Sequence, residues 1–161
     1  MRLILLSALS LFLVSCASTK RTTVTSVEIK EIKPRYIEAE SFKRIGEYFT
    51  GVENKGNRVI MRTDKDNRSG YYFTLVLDTK VKALATGAVF TGQFFTPASP
   101  DPVEYTFTLP AKRPKTKEVL IGLTGEQWPY GPDIIPSAWY FTIKDANDAE
   151  LGSKKSYLWS F

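Results

Sequence analysis

Val103, Tyr105, Phe107 and Leu109 alternate with Glu104, Thr106 and Thr108, and this period of two constrains the fold more than any other feature of the chain. Alternate side chains of an extended segment point to opposite faces, so the four apolar residues face a core and the Thr/Glu set faces solvent. Trp139, Phe141 and Ile143 against Tyr140, Thr142 and Lys144 repeat the pattern, as do Val119, Ile121 and Leu123. Residues 71–77 (YYFTLVL) are apolar on both faces and predict a central strand. Further strands are predicted near residues 44–52, 57–63, 88–95 and 155–159. Turn-forming clusters separate these runs: ENKGN at 53–57, DKDNRSG at 64–70, PASPDP at 97–102, PAKRP at 110–114 and DAND at 145–148. About eight or nine short strands at such spacing predict an all-β, antiparallel sandwich. Aromatic-aromatic-Thr triplets beginning at Tyr48, Tyr72, Phe94 and Tyr140 are irregularly spaced, which reads as β-propensity rather than an internal repeat.

The first sixteen residues follow a different rule. Arg2 gives a basic start, residues 3–14 are an apolar run, and Ser15 and Ala17 are small residues around the only cysteine, Cys16. That is the anatomy of a secretory signal, and the run is short of the ~17–25 residues that span a bilayer. Leu13, Val14, Ser15 and Cys16 in this order resemble the lipobox of bacterial lipoprotein precursors. The resemblance implies removal of residues 1–15, diacylglyceryl transfer to the Cys16 thiol, and acylation of the new amino group. Several acyl chains hold a protein on a membrane far more firmly than one. Ala17, not Asp, follows the cysteine, which in such lipoproteins implies an outer-membrane destination.

Residues 16–35 are then expected to form the lipidated cysteine and a tether, with residues 36–161 as a single sandwich domain. ASTKRTTVTS at 17–26 has no apolar periodicity and suits a flexible link. VEIKEIKP at 27–34 alternates and predicts either an N-terminal edge strand ended by Pro34 or a short helix. With one cysteine, and that one lipidated, no disulfide can staple the fold, so the core must hold it. A domain of this size buries roughly two thirds of its unfolded surface, which suffices.

In strand count and in its closing Trp139-x-Phe141-x-Ile143 segment the domain is similar to bacterial immunoglobulin-like and fibronectin-type modules. It lacks the paired cysteines of antibody domains. The net charge of +5, of which the signal supplies only Arg2, is a mild excess and not a nucleic-acid signature.

The chain contains no His, which excludes Ser-His-Asp triads, Cys-His pairs and His-ligated zinc. No cofactor or metal is expected: in residues 64–70 Arg68 falls at a calcium-ligand position and no bidentate Glu follows. The long segment 125–137 (GEQWPYGPDIIPS) carries the main candidates. Trp128 and Tyr130, stiffened by Pro129 and Pro132, offer rigid aromatic area for a protein pocket or a sugar ring. In the competing reading Trp128, Ile134 and Ile135 fold back as a plug over the open end of the sandwich. Glu126 and Asp133 flank the aromatics as a carboxylate pair would in a glycosidase cleft. Lys112, Arg113, Lys115 and Lys117 form the densest basic cluster, placed either to meet an anionic envelope surface or to solvate a strand connection.

These features predict a lipid-anchored protein of the cell envelope that works as a non-enzymatic binding or assembly module, with another envelope protein as partner. A glycan-binding module using the 125–137 loop is the alternative, and a carboxylate-based hydrolase the second.

Overall fold

The computed structural model describes residues 24–160, so Cys16 and residues 17–23 of the predicted tether lie outside the described residues. Eight strands form two packed four-stranded sheets, an all-β sandwich. They are β1 (Ile29–Ile37), β2 (Val59–Arg62), β3 (Gly70–Leu77), β4 (Val89–Phe95), β5 (Val103–Thr108), β6 (Glu118–Thr124), β7 (Ala138–Lys144) and β8 (Glu150–Lys155). One sheet has the order β1-β3-β6-β2 and the other β5-β4-β7-β8.

β5 forms a hairpin with β4 through the Pro-rich 97–102 turn and so joins the second sheet. β2 lies at the edge of the first sheet and pairs with β6 in parallel, Val59 opposite Val119 through Arg62 opposite Gly122. The expected wholly antiparallel sandwich therefore contains one parallel pair.

The alternating strands bury the faces the pattern assigns to them. Tyr71, Phe73, Leu75 and Leu77 of β3 meet Phe90 and Phe94 of β4 and Phe141 and Ile143 of β7 in the core between the sheets. Phe73 is its centre, with ring centroids 5.1 Å from Phe94 and 5.3 Å from Phe141. β3 is buried on its other face too, as its unbroken apolar run predicts, because Tyr72 joins a second, smaller cluster with Ile37, Phe42, Ile60 and Leu120 on the outer side of the sheet.

Three local expectations are corrected. Residues 44–52 are not a strand: Ala39–Phe42 is a 3₁₀ turn and Ile45–Thr50 is a short helix, α1. Gly51 ends α1 in the left-handed conformation (φ 67°), its N–H donating to the Glu47 carbonyl at 2.8 Å, a C-cap that overrides the β-propensity of Tyr48 and Phe49. The last strand lies at Glu150–Lys155, not at 155–159, because the Asp145 carboxylate accepts from the Asn147 and Ala149 N–H groups and turns the chain earlier. β1 also runs through Pro34 to Ile37, an edge position where proline's missing N–H costs nothing. At its start, Val27 donates to the Leu151 carbonyl at 2.7 Å and the Lys154 ammonium donates to the carbonyls of Ile29 and Lys30, which ties the edge of one sheet to the other.

Replacing Phe73 by Ala should lower the unfolding free energy by about 3–5 kcal/mol, read from urea denaturation, since it removes the ring on which both sheets converge.

Candidate functional site

The loop that carried most of the sequence candidates is anchored by its tryptophan. Trp128 is 4% exposed, with its ring 5.3 Å from Tyr71 and 5.1 Å from Tyr130, and its Nε1–H donates to the Gly131 carbonyl at 3.3 Å. It closes the end of the core and presents no face for stacking, contrary to its candidacy as a binding residue. Tyr130 is half-buried against it. Ile134 and Ile135 are exposed and take no part in this plug. Glu126 and Asp133 are both exposed. Glu126 lines a shallow groove with Thr63, Asp64, Lys65, Asp66 and Gln127, and Asp133 is not among its walls.

The basic cluster divides. Arg113 donates to the carbonyls of Leu84 at 2.6 Å and Ala85 at 3.0 Å, and Lys117 donates to that of Asp78 at 2.7 Å, so both fasten neighbouring loops. Lys115 is exposed. Lys112, also exposed, and Arg113 line a groove of about 850 Å³ that continues through Lys55, Arg58 and Val52 to Thr50. The structure thereby joins the predicted basic loop to α1.

That helix is inverted. Ile45, Tyr48 and Phe49 are spaced along one face of α1, and together with Val52, just past its end, they are 79%, 74%, 84% and 68% exposed. The buried residue of α1 is instead Glu47. Its carboxylate accepts from Arg68 Nη1 at 2.6 Å and from the Asn54 N–H at 3.0 Å. The Arg68 hydrogen bond, followed by that from Asn54, holds Glu47 below the usual carboxylate range.

Beneath the helix lies a charged network. Arg62, its side chain only 3% exposed, makes a two-pronged contact with Glu53, Nη1 to Oε2 at 3.0 Å and Nη2 to Oε1 at 2.7 Å. Its Nε donates to the Tyr72 hydroxyl at 2.7 Å, and that hydroxyl donates to the Arg68 carbonyl at 2.7 Å. The guanidinium also lies 4.8 Å over the Phe42 ring. Burial pushes Glu53 up, but the hydrogen bonds and charge of Arg62 outweigh it and hold the group low.

Arg58 stacks on the same ring at 5.8 Å, and its buried Nε has no hydrogen-bond partner among the described residues. The Arg44 guanidinium packs over Gly56, where a Cβ would stand 2.3 Å from Nη1. Among the described residues neither Arg44 nor Arg58 has a carboxylate partner. The sequence held the signal for this face in the spacing of Ile45, Tyr48, Phe49 and Val52, but over so short a stretch the aromatic-Thr composition argued for a strand.

In comparisons with known proteins the chain matches no family model, no curated protein and no solved structure. Among the described residues no group of His, Cys, Asp or Glu is arranged to hold a metal, and no helix is long and apolar enough to cross a membrane.

Because Glu47 and Glu53 are held below their unfolded values, their contribution to stability is complete above the ordinary carboxylate value of ~4.3 and is lost as pH falls through the lower folded values. Glu53→Gln should therefore be less stable than the parent at about pH 7 and lose less stability between there and about pH 3, as read from urea denaturation at both pH values.

Proposed function

We propose that this chain is a membrane-anchored envelope lipoprotein whose sandwich is a non-enzymatic binding module, docking through the outer face that carries α1. The observation that carries the binding half is the inverted helix: Ile45, Tyr48 and Phe49 face outward, with Val52 exposed just beyond them, while a carboxylate is held inward by Arg68. Contiguous exposed apolar surface of this kind marks interaction sites, whereas singly scattered exposed apolar residues do not. The anchored half rests on Leu13, Val14, Ser15 and Cys16 behind their apolar run.

This reading moves the docking surface from the 125–137 loop to α1 and its basic rim. Glu53 and Arg62 act as a fixed base beneath the helix, and Lys112 and Arg113 extend the face along the adjoining groove.

Two measurements test the two halves. Cys16→Ser should abolish incorporation of labelled fatty acid; label that persists in the variant overturns the anchor. Tyr48→Cys, in a chain whose own thiol is acylated, should react more slowly with a maleimide in native membranes than Asn147→Cys in the exposed β7–β8 turn. Equal reactivity of the two overturns the docking face.

A further inference from the structure

We infer that the occupant of the α1 face is a phospholipid bilayer bearing anionic headgroups, on which the sandwich lies with the outer side of its β1-β3-β6-β2 sheet; this rests on the docking face proposed above.

Three observations converge on that occupant. The first is the apolar ridge. Ile45, Tyr48 and Phe49 of α1, with Val52 just beyond its end, are exposed large apolar side chains, two of them aromatic. Tyr48 also borders a cleft with Lys43 and Arg68, and Val52 borders the basic groove, so apolar and cationic side chains adjoin. Exposed Phe and Tyr beside basic residues suit the headgroup and upper acyl region.

The second is charge. Lys43 and Arg44 precede the ridge, and Lys55, Arg58, Lys112 and Arg113 line the groove at its far end. The acids nearest the ridge are paired: Glu40 with Lys43 at the surface, Glu47 with Arg68, and Glu53 with Arg62 and Lys55. What remains unneutralised is cationic, with Arg44 and Arg58 close enough that burial and their mutual repulsion, with Arg35, push Arg58 down from its ordinary value. Phosphate oxygens relieve that repulsion. Basic side chains beside a bilayer gain from the negative surface potential in the same way.

The third is reach. Seven residues lie between Cys16 and Val24, where the described chain begins, and the eight Cα–Cα steps span about 28 Å when fully extended. β1, which begins at Ile29, runs nine residues toward α1, about 30 Å. An acyl anchor at Cys16 therefore reaches the membrane plane alongside a sandwich lying on its sheet. Anchor and ridge can then engage one bilayer together, and the tethering raises the local concentration of the second contact.

The test uses the full chain carrying Cys16→Ser, so that no acyl group contributes, and sedimentation with vesicles of phosphatidylcholine containing phosphatidylglycerol. Residues 1–15 are common to every chain compared, so differences report the face alone. Binding is expected to vesicles with phosphatidylglycerol, to fall with added salt, and to weaken on pure phosphatidylcholine. Tyr48→Ser with Phe49→Ser should weaken it by at least about tenfold. Arg44→Gln and Lys112→Gln should each weaken it about fivefold, with circular dichroism unchanged. A Tyr48→Trp reporter should shift its emission to the blue on these vesicles and be quenched by brominated lipid. Binding that is indifferent to all four substitutions, or a Tyr48→Trp emission unmoved by lipid, overturns the bilayer as occupant. If Tyr48→Cys is shielded in native membranes while these vesicles leave the reporter unmoved, the docking face stands with a protein on it. If Cys16→Ser fails to remove the label, the anchor fails while the vesicle result is still read independently.

Discussion

The outer face of this protein depends on one buried cation. Arg62 sits at the end of β2 with its side chain almost wholly withdrawn from water, and a guanidinium in that position is tolerated only if its donors are met. Glu53 takes two of them in parallel, the Tyr72 hydroxyl takes Nε, and Phe42 offers its ring face. Each partner comes from a different segment, so satisfying Arg62 fixes the 3₁₀ turn, the link to β2 and the centre of β3 relative to one another. The arrangement is bought with a glycine: Gly122 stands opposite both Arg62 and Tyr72, and a Cβ there would fall 2.4 Å from the Tyr72 ring. Only at that position can the tyrosine lean across β6 to reach the arginine.

The same network accounts for the parallel pairing of β2. The chain leaves β1 at the sheet edge, crosses the outer face as the 3₁₀ turn and α1, and comes down on the far side of β6. A strand arriving after such a crossing runs in the direction of β6, which is why β2 pairs in parallel where a hairpin would have paired antiparallel. Phe42, Ile60 and Leu120 fill the space beneath the crossing, so the sheet has apolar contacts on both faces. β3 needs that cover, because Tyr72 alternates with Phe73 and would otherwise leave a large ring in water.

How much of this was legible follows from what each signal measures. Period-two alternation reports one buried face, and it located β5, β6 and β7 and the core residues Phe107, Ile121, Phe141 and Ile143. The unbroken run of β3 reported burial on two faces without saying what covered the second. Composition misled where it was asked to stand for contacts. Tyr48-Phe49-Thr50 has strand-forming residues, but Gly51 in a left-handed C-cap and Glu47 paired to a residue 21 positions away make it helix. The pattern around Trp128 left a binding aromatic and a core plug both open, and the plug prevails because its ring is drawn in by Tyr71, a residue whose proximity no local pattern encodes. Lys112 and Arg113 were visible as a cluster, but their alignment with Arg58 and Val52 depends on a pairing between strands.

A helix of six residues is far too short to be stable alone, so its orientation is set by what holds it. Were α1 only a lid on the second cluster, turning Ile45 and Phe49 inward would gain roughly 1.5–3 kcal/mol for each side chain fully buried. Glu47 would then face water and need no partner. The observed helix does the reverse: Arg68 and the Asn54 N–H receive a carboxylate at the inner position, and a misrotated helix would strand both the buried Glu47 site and the apolar ridge. An ion pair of this kind adds little net stability over an apolar contact, but it discriminates strongly between orientations, since the wrong one leaves a charge unpaired. The inward carboxylate is therefore what keeps the apolar ridge outward, and the electrostatics beneath α1 and the apolar surface above it are two sides of one device.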